Sequence, residues 1–473
     1  MYNVESNEEY TTVPGNPVKS FFVDMLTRDI SIEDAILDLL DNCVDGILRS
    51  DIVATGKKPY EGHYAEITFD ESHFSISDNC GGIPWDLRDY AFKLGRSNDR
   101  NDPHHGTVGI YGIGMKRAIF KFGRHCLIST QNNNRNYEVE ISGDWFKNED
   151  AWDIPVGRGK NNMTEDGTTI YISELIDSIS HRFKAEIFLK DLIDKIETHY
   201  AFIIHKGFKV LVKGINVEPK PIALQFDDIT DKSKKRIRPF IFKTEANGVR
   251  VFLAVGFSRH LPSQTDLSSA LISKTYSSDY AGWTVLCNDR AVLYCDKTAL
   301  TGWGEADVPQ YHTQFIAISG IVEFQCDDPS KLPTTTTKRG IDTSSQLYLQ
   351  IKNKMREGLK IFTDYTNKWK TREREAKTHL QSAKAVSITD IKTFVSSNIP
   401  EVDFTATHKI LAGKQYKPNL PVPEKADDGI RKISFKKTLD EVRTVSNYLE
   451  LDSDDPSKAG EACFDTVLLQ AKK

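Results

Sequence analysis

The segment SIEDAILDLLDNCVDGILRS, residues 31–50, constrains the fold more than any other part of this chain. Ile32, Ala35, Ile36, Leu39, Leu40, Cys43, Val44 and Ile47 recur at three- and four-residue spacing and draw one apolar stripe along an amphipathic helix. Ser31 and Asp34 have the spacing of a capping box at its start, and Gly46 interrupts the pattern near its end. Asp34, Asp38, Asp41, Asn42 and Asp45 take the remaining arc, with Asp38 and Asn42 one turn apart. Four carboxylates with no Lys or Arg among them before Arg49 repel one another, by about 0.2–0.5 kcal/mol per exposed pair and by far more if buried. A cation is therefore missing from this helix. The arc is either a solvated acidic face or a metal site with an Asn ligand and a nearby carboxylate.

Two further segments bear on that choice. SISDNCGGIPWDL (75–87) puts Asp78 at the end of a strand, followed by Gly81, Gly82 and the apolar Ile83. At such a turn the backbone passes close to a flat ligand, and the Asp can accept a hydrogen bond from an exocyclic amine. HGTVGIYGIGMKRAIFKFG (105–123) places Gly106, Gly109, Gly112 and Gly114 ahead of a helix-like run. A glycine-rich turn feeding a helix N-terminus cradles phosphate through unpaired N–H groups and the helix dipole, and Lys116 adds a point charge. The sequence has neither a GxxxxGK[ST] loop nor a Rossmann-type GxGxxG.

Taken in order, these segments resemble the Bergerat-fold ATPases, the GHKL superfamily of gyrase B, large heat-shock chaperones, sensor kinases, MutL and MORC proteins. Asp38-Leu-Leu-Asp41-Asn42, continuing to Asp45, matches the family's N-box. DNCGGI approximates its DxGxG box, GIYGIGMK its lid end, AFKLGRS (91–97) its lid entry, and Gly167-Thr168 the later Gly-Thr. The resemblance covers about 150 residues and departs in two places. The base position is Asp where MutL and gyrase carry Glu, and Cys80 replaces the first glycine of the DxGxG box.

The resemblance implies ATP and Mg²⁺ as cofactors. Asn42 would bind the metal and Asp38 would be the general base for the attacking water. Asp78, assisted by Thr168, would hold the adenine amine, and Gly82 and Ile83 would line the adenine pocket. Gly109, Gly112, Gly114 and Lys116 would hold the phosphates, with Asp45 a further nucleotide contact and Ser97 and Thr107 lid contacts. No His precedes Ser31, which disfavours the sensor-kinase branch and leaves the MORC- and MutL-like one. In that branch a second domain sends a cation to the terminal phosphate. GWTVLCNDRAVLYCDK (282–297) looks like its strand-turn-strand segment, and Lys338 like its switch lysine. Lys338 is equally well an ordinary solvated loop residue, and Lys331 and Arg339 compete for the role.

The 473 residues suggest two to four domains at roughly 100 to 200 residues each. The expected fold is α+β: an N-terminal arm (1–16), a Bergerat α/β sandwich (17–220), a transducer-like α/β domain (221–345), a long basic helix (346–395), and a linker with a small helical tail (396–473). Runs at 65–70, 137–142, 168–173, 208–214, 249–257, 282–295 and 314–326 read as strands, with Asn288-Asp289 a hairpin turn. A formal charge of -5 excludes global attraction to nucleic acid. The stretch 347–384, with ten basic against four acidic residues, is either a solvated helix or stalk or a contact for a DNA or RNA backbone. The cysteines read as free thiols, no membrane span is visible, and a cytoplasmic location is expected. The function these features favour is an ATP-gated dimerisation switch with slow turnover. A non-hydrolysing nucleotide-gated interaction module and a chaperone-like ATPase are the rivals.

Overall fold

The computed structural model describes residues 17–49, 56, 58–95, 112–159, 163–220, 222–227, 235–261, 280–335, 338–370, 372, 375–376, 383–398, 405–407, 411–423 and 432–472. The fold is mixed α+β, with two large sheets and helices packed against them. The chain divides into one unit that ends at Val422 and a second, Pro423–Lys473. No helix among the described residues is long and apolar enough to cross a membrane.

The first half begins with helices α1 (Lys19–Arg28) and α2 (Ile32–Arg49). Strands β1 (Tyr64–Phe69), β2 (Phe74–Asp78), β3 (Gly123–Asn132), β4 (Arg135–Ile141), β5 (Val156–Arg158), β6 (Gly167–Leu175), β7 (Lys209–Val212) and β8 (Ile215–Asn216) form one sheet in the order β5-β4-β3-β6-β2-β1-β7-β8. Helices α3 (Arg88–Phe92), α4 (Gly114–Phe122), α5 (Gly143–Lys147), α6 (Asp177–Lys184), α7 (Glu186–His199) and α8 (Ala201–His205) complete this half. The apolar stripe of α2 is buried, with Ala35, Ile36, Leu40, Val44 and Ile47 at 0% exposure, in one core with Ile67, Phe74, Ile128 and Ile172 of the sheet. The Ser31 hydroxyl accepts the N–H of Asp34 at 3.1 Å, which satisfies one orphan donor of α2.

Helix α2 is also buried on the side expected to be a polar arc: Asp38, Asp41 and Asp45 are 4%, 1% and 2% exposed. A solvated acidic face is thereby excluded. Gly46 lies in the helix where a Cβ would come within 2.5 Å of the Cys80 carbonyl oxygen, so only glycine lets the turn after β2 pack this closely.

The second half is built on β10 (Phe240–Ala246), β11 (Val249–Phe257), β12 (Gly282–Cys287), β13 (Arg290–Asp296) and β14 (Ile318–Gln325), extended by Gly413–Tyr416 and Thr405–Thr407; β9 (Ala223–Phe226) lies apart from this sheet. Asn288 and Asp289 have φ of 46° and 67°, the left-handed pair that a two-residue hairpin turn requires. Asn247-Gly248, between β10 and β11, is a second such turn. The helix Gln346–Trp369 packs on this sheet through Ile351, Met355, Leu359 and Phe362, all at 0% exposure.

That helix corrects one expectation. It stops at Trp369, and Lys384–Ser387 is a strand that pairs antiparallel with β9. Backbone pairing with a distant strand overrides the local helical pattern there. Four of its five basic side chains are paired: Lys352 and Arg356 with Glu305, Lys354 with Glu357, and Lys360 with Asp307. In the second unit, helices Leu439–Tyr448 and Pro456–Ala471 pack on each other, the first closed by a full capping box between Thr438 and Glu441. All seven cysteines are free thiols, six of them buried.

Candidate nucleotide site

A cavity of about 1300 Å³, including its open mouth, lies between α2, the ends of β2 and β6, α3 and the start of α4. One face of α2 lines it through Asp38, Asn42, Gly46 and Arg49, spaced by whole turns of the helix. The Asn42 side chain is exposed, whereas Asp38 is 4% exposed and paired through Oδ2 with Arg117 Nη2 at 2.5 Å. Gly114 lies against Asp38: a Cβ there would sit 3.3 Å from the Asp38 Cβ.

The inner end of the cavity is a carboxylate set among apolar walls. Asp78 ends β2 and pairs in register with Thr168 on β6. Its Oδ1 accepts the Cys80 N–H at 2.8 Å, and the Cys43 thiol lies 3.4 Å from Oδ2. Burial raises the Asp78 carboxyl above the usual range, against the lowering effect of these hydrogen bonds. Burial and the nearby Asp78 charge also push the Cys43 and Cys80 thiols up, so both stay protonated. Thr130 Oγ1 lies 3.0 Å from Thr168 Oγ1 and accepts the Ile83 N–H at 2.8 Å. Gly81 and Gly82 both have positive φ, and a Cβ on Gly82 would meet the Gln131 carbonyl oxygen at 1.9 Å. The turn thus accommodates Cys80 by using the two following glycines. Leu39, Ile76, Ile83, Met115 and Ile170 supply the apolar lining. A buried acceptor beside apolar walls suits a flat, amine-bearing heterocycle.

The other end is suited to anions. Gly112 has φ of 65°, and α4 starts at Gly114 after Ile113, which makes no side-chain cap. The first N–H groups of α4 therefore lack partners within the helix. Lys116 lines the cavity, but its ammonium is 2.5 Å from the carbonyl oxygens of Ala91 and Gly112, so it ties α3 to the turn before α4. Ser97, Thr107 and Gly109 lie outside the described residues.

Lys338 reaches the cavity from the second half of the chain. Its Nζ is 2.9 Å from Asp41 Oδ2, while Arg290 Nε is 2.9 Å and the Tyr200 hydroxyl 2.5 Å from Asp41 Oδ1. Of its competitors, Arg339 pairs with Asp34, and Lys331 is half-exposed beside Asp328; neither lines the cavity. Asp45 is 2% exposed and is not among the residues that border the cavity.

The cation missing from the sequence of α2 is supplied by tertiary partners. Asp38 meets Arg117, Asp41 meets Arg290 and Lys338, Asp34 meets Arg339 and Lys195, and Glu33 meets Arg182. Sequence reasoning missed Arg117, Arg49 and Arg290 as members of the site. Arg117 directly follows Lys116 after the glycine turn and Arg290 directly follows the Asn288-Asp289 turn, so both had a positional signal.

Residues 30–166 match the model of the family described as Histidine kinase-, DNA gyrase B-, and HSP90-like ATPase. The match supports a GHKL-type ATP-binding domain over that part of the chain. No curated protein matches the chain.

Proposed function

We propose that the chain binds ATP with Mg²⁺ and hydrolyses it slowly, as an ATP-gated dimerisation switch of the MORC/MutL type. One observation carries this reading: Asp38, Asn42, Asp78, Thr168, Gly82, Gly112, Gly114 and Lys338, drawn from both halves of the chain, line one cavity. Residues 17–220 act as the ATP-binding domain and 221–345 as a transducer-like domain, and the arm 1–16 crosses to a second copy when ATP is bound.

Asp78 accepts the adenine amine with Thr168 beside it, and the N–H groups at the start of α4 face the phosphates. The Asn42 amide oxygen, exposed at the cavity, suits Mg²⁺, a hard cation that takes one or two protein oxygens alongside phosphates and water. Bound there, the metal would offset phosphate charge. Asp38 takes the proton of the attacking water as the new P–O bond forms and the bond to the ADP oxygen breaks, and Lys338 neutralises charge at the terminal phosphate. Turnover is slow because the aspartate is one methylene shorter than the glutamate of MutL and gyrase.

The test is phosphate release, together with molecular mass in solution, with ATP and with a non-hydrolysable analogue. Release of phosphate and doubling of mass with the analogue are expected. A monomer under every nucleotide condition removes the switch, and ATP binding without turnover favours the non-hydrolysing interaction module. The Asp38–Arg117 ion pair is the observation that favours that second reading, because it occupies the base. A DNA or RNA backbone partner would rely on Lys368 and Lys370, both exposed, since four other basic residues of the helix Gln346–Trp369 are paired with carboxylates. Such binding would weaken steeply with salt.

A further inference from the structure

Asp41 is a buried, multiply partnered carboxylate of α2, and the proposed chemistry does not use it. It is 1% exposed and receives two cations and a hydroxyl, with Arg290 and Tyr200 on Oδ1 and Lys338 on Oδ2. Arg290 and Lys338 are contributed by two separate segments of the second half of the chain, the β12–β13 hairpin tip and the loop closed by the Thr334–Ile341 bridge.

We propose that Asp41 is a positioning residue: it holds Arg290 and Lys338 against the nucleotide-binding helix and yields Lys338 alone to the terminal phosphate of ATP. This rests on the reading of the cavity as an ATP site.

The two cations are held differently. Arg290 belongs to a hairpin tip whose three consecutive residues have three separate anchors. Asn288 exchanges hydrogen bonds with the Cys326 backbone, Asp289 takes Lys206 at 2.6 Å and the Tyr60 hydroxyl at 2.9 Å, and Arg290 takes Asp41. Its guanidinium also lies over the Tyr200 ring, 4.4 Å from the centroid. Arg290 is therefore held by an anchored backbone as well as by Asp41 and the Tyr200 ring. Lys338 sits in a short loop at φ of 57°, its side chain is 13% exposed, and it already lines the cavity.

Charge makes the exchange inexpensive. A single carboxylate fully neutralises only one of the two cations it touches. When Lys338 moves to a phosphate oxygen, Asp41 and Arg290 remain as a matched buried pair, and no ion is left uncompensated. The reverse exchange is not open to Arg290, whose side chain is 2% exposed and does not border the cavity. ADP lacks the phosphate that competes for Lys338, so ATP but not ADP releases the loop.

The experiment compares the full chain with Asp41→Asn, Asp41→Glu, Lys338→Met and the Asp41→Asn/Lys338→Met double variant. The readouts are hydrogen exchange of residues 334–342 without nucleotide, ATP affinity by calorimetry, and kcat and KM. We expect Asp41→Asn to speed exchange in that loop and lower kcat by about tenfold, the scale of one lost charged hydrogen bond, with ATP affinity within about threefold of wild type. Asp41→Glu should recover part of the loss, and the double variant should be no slower than Lys338→Met, because the two residues act as one unit. Where Asp41→Asn fails to fold because Arg290 is stranded, Asp41→Asn/Arg290→Gln removes both charges and the same readouts apply. Wild-type loop exchange and kcat in a folded Asp41 variant, or losses that multiply in the double variant, overturn the proposal. Failure of the wild-type chain to bind ATP overturns the ATP-site reading and the exchange step with it, while nucleotide-free exchange separately decides whether Asp41 holds Lys338.

Discussion

Arg117 Nη2 lies 2.5 Å from Asp38 Oδ2, in an ion pair whose side chains are 14% and 5% exposed. Arg117 belongs to α4, the helix that starts at the glycine-rich turn, and Asp38 to α2. The pair therefore links the carboxylate proposed as the base directly to the helix whose N-terminus would face phosphate. A nucleotide that displaces Arg117 frees Asp38 for water.

Asp38→Asn keeps the shape of the side chain and removes the proton acceptor. It should lower kcat by about 10²- to 10⁴-fold, the usual contribution of a general base, while ATP affinity changes little. Single-turnover phosphate release together with calorimetry checks this, and unchanged turnover removes Asp38 from the base role.

Asp78 should control adenine binding in a pH-dependent way. Burial raises its carboxyl, so on acidification it takes up a proton earlier than an ordinary aspartate and then loses an acceptor for the amine. ATP affinity is expected to fall as pH is lowered through that raised value. Asp78→Ala should weaken ATP by about 10- to 100-fold at neutral pH and flatten the pH profile. A titration series from pH 8 to pH 5 on both proteins decides it.

Gly82→Ala should be strongly disruptive, because φ of 67° and a Cβ contact of 1.9 Å with the Gln131 carbonyl both oppose it. A loss of more than about 2 kcal/mol in unfolding free energy is expected. Gly157→Ala is the control, since nothing lies within 4 Å of its Cβ position; it should stay within about 0.5 kcal/mol of wild type. Denaturant midpoints compare the two.

The junction at Asp41 should be acid-sensitive. Its folded-state carboxyl is depressed, because Lys338 and Arg290 outweigh burial. Its contribution is thus fully present above the unfolded value of about 3.9 and is lost as pH falls through the depressed one. Thermal unfolding should show no Asp41-dependent change between pH 5 and pH 8 and a growing loss below pH 4. In Asp41→Asn that acid-dependent part should shrink.

Much of the site is legible in short stretches of sequence. The stripe of α2, the Asp78 turn and the glycines ahead of α4 are local patterns, and all three border the cavity. The Asn288-Asp289 turn is equally legible, because a two-residue hairpin needs positive φ at both positions and those residue types tolerate it. Illegible are the fate of Lys116, whose ammonium turns to two carbonyls, and the burial of Asp45. Neither is set by neighbours in sequence.

By itself, then, the sequence determined the helices, strands and turns around the cavity, because periodicity and backbone preference act over a few residues. It also determined that α2 carries more negative charge than a buried helix tolerates alone. Only the tertiary structure decided which cations answer that charge: Arg290 reaches Asp41 across 249 residues and Lys338 across 297. A charge is satisfied through space, and burial makes the partner obligatory, so these pairings exist only once both halves of the chain have folded together.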